Sequence, residues 1–89
     1  MNEQVLFSNV EESIRLVLNT EAGEITPESK LVADLGAESI DFLDISCELE
    51  KFVDRELDFK EVMTDLRVKQ GEEVKDLTVQ NIVDYLMVQ

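Results

Sequence analysis

The chain contains no histidine and a single cysteine, Cys47. Activating a serine or thiol nucleophile at neutral pH most often requires a histidine base, so a conventional catalytic triad is excluded. A structural zinc site needs four ligands, usually cysteine and histidine, and only Cys47 is available. A lone cysteine cannot form an internal disulfide, which agrees with a reducing compartment. Proline occurs once, at Pro27, and glycine three times, at Gly23, Gly36 and Gly71. Each falls where a helix has to break. No segment approaches the roughly 20 apolar residues that span a bilayer. Met1-Asn2-Glu3-Gln4 lacks the basic region and long apolar run of a signal peptide. The expectation is a soluble, cytoplasmic monomer with no stable membrane insertion.

Positive charge is scarce as well. Eight Lys and Arg face 21 Asp and Glu, for a net charge of −13. Such a chain repels nucleic acids and anionic membranes, which are polyanions themselves. It attracts basic protein surfaces before contact. Hydrophobic residues make up 44% of the 89 residues and recur at helical spacing, which argues for one folded domain over residues 1–89 rather than for disorder. Repeats, low-complexity tracts and internal linkers are missing.

The periodicity predicts an all-α fold, a four-helix bundle with a long first loop. Ser8 and Glu11 form a capping-box pattern, but apolar residues begin at Val5, so the first helix is expected to start near Glu3 and end near Asn19. Its apolar stripe is Leu6, Val10, Ile14, Val17 and Leu18. In the loop, Thr26-Pro27-Glu28-Ser29 reads as a turn, and Leu31, Val32 and Leu35 are expected to anchor it. A second helix is expected from about Ser39 to Arg55. Asp58 and Glu61 form a capping-box pattern for a third, which ends before Gly71, and Thr78 caps a fourth.

The second helix carries two apolar flanks. At 100° per residue, Asp41, Asp44 and Glu48 share an acidic stripe about 60° wide. Phe42, Ile45, Leu49, Phe52 and Val53 make a broad apolar arc. Ile40, Leu43 and Cys47 make a narrower one beyond the acids. Either this helix is central and buries both arcs, or the narrow arc stays exposed as an apolar anchor within a charged rim, the anatomy of a transient docking surface. Lys51 and Arg55 follow near the C-terminus of the helix, where positive charge suits the macrodipole.

The most informative stretch is Asp34-Leu35-Gly36-Ala37-Glu38-Ser39-Ile40-Asp41, in which a glycine turn delivers Ser39 to the start of that helix. A serine with no base to activate it reads as an attachment point or, more simply, as an N-cap accepting a backbone N–H. Carboxylates such as Asp41 and Asp44 could do acid–base work, but nothing marks a cleft around them. Asp34 to Asp44 also lacks the alternating oxygen ligands and central glycine of an EF-hand loop, so no metal is expected.

With Leu43-Asp44-Ile45, Leu49-Glu50 and the later Thr78-Val79-Gln80 and Ile82-Val83-Asp84-Tyr85-Leu86, that stretch resembles the acyl carrier proteins. These are small acidic four-helix carriers, and the resemblance covers nearly the full length. It implies that Ser39 receives 4′-phosphopantetheine from coenzyme A and that the chain is not itself an enzyme. Acyl groups would then be carried as thioesters to fatty-acid or polyketide-type biosynthetic enzymes. The implied partners are a phosphopantetheinyl transferase and ketosynthase, reductase, dehydratase and acyltransferase-type enzymes with basic docking surfaces. Glu38, Ile40, Asp41, Leu43, Asp44, Cys47 and Glu48 are the expected docking residues. Leu49, Val62, Met63 and Leu66 are candidates for an acyl pocket between the second and third helices, with core packing as the alternative for each. Cys47 is expected to be a small contact residue rather than a second thiol.

The family's usual Asp-Ser-Leu is replaced by Glu38-Ser39-Ile40, where partners are expected to read the carrier. The segment from Leu57 to Asp76 is longer than in a typical housekeeping carrier and holds Lys60, Arg67, Lys69 and Lys75, which points to a specialised carrier. Two alternatives stay open. A peptidyl or aryl carrier would use the same serine, though such domains more often have glycine where Ala37 stands and are less acidic. A helical interaction module would need no cofactor.

Overall fold

The computed structural model describes residues 2–21 and 23–88. Four helices form: α1 (Glu3–Leu18), α2 (Ser39–Val53), α3 (Phe59–Gln70) and α4 (Val79–Met87). Each start is set within one turn of chain. The Asn2 side chain accepts the Val5 N–H at 2.8 Å, so α1 begins before the Ser8/Glu11 pattern. Thr78 and Asn81 form a reciprocal box, with Thr78 N–H to Asn81 Oδ1 at 2.8 Å and Asn81 N–H to Thr78 Oγ1 at 3.1 Å. At α3 the Asp58 carboxylate takes the Lys60 N–H at 2.9 Å. Glu61, the expected second half of that cap, turns instead toward Tyr85 on α4.

The second helix stops two residues short of the expected Arg55. Asp54 enters the left-handed region at φ 54°, and its N–H closes on Glu50 O at 2.9 Å. This frees Arg55 to donate to the Leu86 carbonyl at 2.6 Å, which ties the end of α2 to the end of α4.

The core is built from Leu6, Val10 and Ile14 of α1, Ile45 and Leu49 of α2, and Val79, Ile82, Val83 and Leu86 of α4. α1 packs along both α2 and α4, whereas α3 touches α2 and α4 only lightly, through Phe59, Val62 and Leu66. Phe52 lies in line with Ile45 and Leu49 on α2, yet it is 41% exposed at the last turn of that helix.

The long loop is pinned at both of its halves. Ser29 N–H closes on Thr26 O at 3.0 Å, while Pro27 O and Ser29 O accept from Gln80 and Val79 at the start of α4. Among the described residues, extended backbone is paired only at the antiparallel bridge between Lys30 and Thr78. The Asp76 carboxylate then receives the Val32 and Ala33 N–H groups at 3.1 and 3.0 Å. Leu31 is buried as expected and Leu35 partly so, but Val32 is 46% exposed. Ile25 and Ala37 supply the anchoring that Val32 does not.

Candidate functional site

The turn before α2 is held from inside. The Asp34 carboxylate accepts the Lys30 N–H at 2.8 Å, and Ala37 N–H closes on Leu31 O at 2.8 Å, with the Ala37 methyl buried. Gly36 joins these contacts at φ +73°, where a side chain is strained although a Cβ would meet nothing within 4 Å. The glycine is therefore needed for its backbone and not for space. Asp34 is exposed, and its carboxylate serves the turn.

Ser39 is the first helical residue and not the cap. The cap is Glu38, whose N–H is held by the Asp41 carboxylate at 2.8 Å. The capping duty that the sequence allowed for Ser39 is thus taken by its neighbours. Ser39 is exposed, and its hydroxyl has no hydrogen-bond partner among the described residues. The other serines differ. Ser13, Ser29 and Ser46 are buried, and Ser8 lies exposed within α1.

Only one apolar flank of α2 is buried. Ile45 and Leu49 are fully enclosed, with Phe42 and Val53 partly so. On the narrow arc, Ile40 and Leu43 are each 65% exposed, and Cys47 is exposed as a free thiol. Around them Glu38 and Asp44 are exposed, and Asp41 and Glu48 are half-buried. Glu48 pairs with Lys51 at 3.0 Å, which reduces the negative field at the far end of the acidic stripe. Ser46, which periodicity gave no reason to notice, is buried between the flanks and donates to Leu43 O at 2.7 Å.

Two grooves open beside Ser39. One, of about 450 Å³, runs between α2 and the start of α3 past Leu43, Cys47, Glu50 and Leu57. The other, of about 470 Å³, runs between α3 and the pinned loop past Val32, Met63 and Leu77. Ser39, Phe42, Phe59 and Lys60 border both. Phe42 and Phe59 meet edge to face, with centroids 5.3 Å apart and planes at 68°, and so divide the two spaces. Of the four acyl-pocket candidates, Leu49, Val62 and Leu66 are buried in the core, and only the half-buried Met63 lines a groove beside Ser39. Val62 and Leu66 also border a separate small pocket of about 80 Å³ toward α4. Phe42 and Phe59 were hidden from sequence reasoning because an apolar side chain on a groove wall has the same periodicity as one in the core. Among the described residues, no three Asp, Glu or Cys side chains gather as a metal site.

A family model described as a phosphopantetheine attachment site matches residues 8–70. Acyl carrier proteins of Helicobacter pylori strains HPAG1 and J99 are each 39% identical to the chain over 46 residues, or 52% of this chain. The matched stretch spans 59% of those relatives' own length. The cofactor of this family is covalently attached 4′-phosphopantetheine. The surroundings of Ser39 fit such a group: a free, exposed hydroxyl at a helix N-terminus, with the positive end of the helix dipole available to a phosphate and open grooves alongside. By the extent of the family match and the agreement of the four-helix fold, the chain belongs to the acyl carrier protein family.

Proposed function

We propose that this chain carries acyl groups as thioesters on a 4′-phosphopantetheine arm joined to Ser39, and that it is a carrier and not an enzyme. The carrying observation is Ser39 itself, an exposed serine released from capping by Glu38 and Asp41 at the common mouth of two grooves. Ser8, the other exposed serine, borders neither groove. When attached, the arm supplies a thiol that holds the acyl group. The protein's own residues present Ser39 and hold the α2 N-terminus toward the phosphate. Glu38 and Asp41 oppose that anion, but their repulsion acts largely through high-dielectric solvent, which weakens it.

The flank formed by Ile40, Leu43 and Cys47, rimmed by Glu38, Asp41, Asp44 and Glu48, is proposed as the docking surface. Its partners are a phosphopantetheinyl transferase and the ketosynthase, reductase, dehydratase and acyltransferase-type enzymes of fatty-acid or polyketide-type synthesis. A carrier must release each partner, and steering by charge onto a small apolar patch allows fast exchange. The free Cys47 thiol favours a reducing, cytoplasmic setting, and residues 1–89 are read as one monomeric carrier domain. Among the described residues no helix is long and apolar enough to cross a membrane.

Incubation with coenzyme A and a phosphopantetheinyl transferase is expected to add one cofactor mass to the protein and none to Ser39→Ala. No gain, or an equal gain in the variant, would overturn the reading in favour of a cofactor-free module. The mass of the group found on protein from its host separates an acyl cargo from an amino or aromatic acid.

A further inference from the structure

The two grooves that meet at Ser39 differ in charge. The groove between α2 and the start of α3 is bordered by Glu50 and Asp58 as well as Lys60. The groove between α3 and the pinned loop is bordered by Lys60, Arg67 and Lys75, and no carboxylate lines it. In a chain with 8 Lys and Arg against 21 Asp and Glu, three cations thus converge on one space free of acids. The ion pairs Arg15–Glu12, Lys51–Glu48 and Lys69–Asp65 involve none of these three cations. The nearby Asp76 is turned to the backbone, accepting from Val32, Ala33 and Leu77.

Local helix electrostatics do not account for all three. Arg67 lies in the last turn of α3, where positive charge suits the macrodipole, and its Nε is fixed by donation to Val74 O at 2.9 Å. Lys60 lies in the first turn of α3, where the macrodipole disfavours positive charge. Lys75 comes from the connection to α4, so only tertiary structure brings it to the other two. The floor beneath them is apolar, formed by Val32, Phe42, Phe59, Met63 and Leu77. At about 470 Å³ the space lies within the roughly 300–1,000 Å³ of small-molecule sites.

We propose that this groove selects acyl groups that end in an anion, with a carboxylate as the simplest case. The alkyl stem lies over the apolar floor and the distal carboxylate sits among Lys60, Arg67 and Lys75. A methyl-ended chain in the same groove would press against cations that keep their hydration, whereas a carboxylate meets them with charge-assisted hydrogen bonds. This inference rests on attachment at Ser39 and adds a cargo class to it.

The test loads the protein from octanoyl- or octanedioyl-coenzyme A with a broad-specificity phosphopantetheinyl transferase. Two quantities are then read at low salt: thioester cleavage by hydroxylamine, and amide NMR shifts of Met63, Thr64 and Arg67. The octanedioyl thioester is expected to be cleaved about tenfold more slowly than the octanoyl one, as three exposed ion pairs allow, and to shift those amides further. In a Lys60→Gln, Arg67→Gln, Lys75→Gln variant that still loads normally, the ratio is expected to fall to about one. Raising salt should reduce it in the wild type too. Equal protection of the two thioesters, or a ratio that persists in the variant, overturns the proposal. So does the same amide shift in unacylated, phosphopantetheine-bearing protein, because the cations would then be holding the phosphodiester. Failure to gain mass at all overturns attachment at Ser39, whereas normal loading without a difference overturns only the cargo class.

Discussion

The side of the molecule made by α1, α2 and α4 and the side made by α3 are packed to different degrees. On the first, Leu6, Val10, Ile14, Ile45, Leu49, Val79, Ile82 and Val83 are buried where α1 packs along both α2 and α4. On the second, α3 rests on Phe59, Val62 and Leu66 while grooves open on both sides of its N-terminal half. Ser39 stands at the boundary. The closed side supplies the stiffness that holds the turn and the helix start in place. The open side supplies space beside the serine that can widen without dismantling the core. Under the proposed function, presentation of the group and shelter of its cargo fall to different parts of one small chain.

The largest test of this contrast is a pair of truncations. Leu49→Ala is expected to cost about 2–5 kcal/mol, because a fully buried leucine leaves a cavity that dense packing cannot fill. Met63→Ala, at a half-buried position on a groove wall, is expected to cost less than about 1 kcal/mol, since water can occupy the vacated space. Urea unfolding of both variants decides the matter. Equal losses would show that α3 is as tightly held as the rest.

A second substitution probes what holds the boundary. Asp76→Ala removes the acceptor of the Val32 and Ala33 N–H groups and is expected to cost about 1–3 kcal/mol. The loss should be local. Hydrogen exchange should quicken at Val32 and Ala33 and stay unchanged in the middle of α1. Uniform quickening through α1 would mean that the loop contributes to global folding rather than to the placement of Ser39.

The smallest expected effect reports on the contact between α3 and α4. Tyr85, the sole tyrosine, is raised above its ordinary 10.0 by burial first and then by the Glu61 and Asp65 carboxylates of α3. The neutral phenol is the favoured form in the folded state. Its stabilising contribution is therefore complete below the unfolded pKa near 10 and is lost as pH rises through the higher folded value. An absorbance titration of the phenolate should show the elevated value, and Glu61→Gln should lower it. A midpoint unmoved by that change would place α3 farther from α4 than the structure does.

Much of this was legible along the chain. The start of α4 at Thr78 and the end of α1 at Asn19 follow from groups within a few residues of each other, as caps do. Ser39 stood out for the same local reason, a glycine turn before an acidic helix with no histidine to make it reactive. The end of α2 was less legible, because Arg55 leaves the helix for the Leu86 carbonyl, a partner 31 residues away. Val32, Phe42 and Phe59 were equally opaque. An apolar residue on a groove wall and one in a core obey the same periodicity, and only the neighbours distinguish them.

By itself, then, the sequence determined the four helices, the caps at Thr78 and Asn19, the acidity of α2 and the lack of a histidine to activate Ser39, since these depend on composition or on contacts within a turn. Tertiary structure alone decided which flank of α2 is buried. Both flanks are apolar, and α1, the helix packed most extensively on α2, covers the side with Ile45 and Leu49 and leaves Ile40 and Leu43 in water. It also brought Lys60 and Arg67 of α3 together with Lys75 of the connection to α4 on one acid-free wall. Spacing along the chain does not encode that meeting, because it depends on how the loop and α3 fold back on each other.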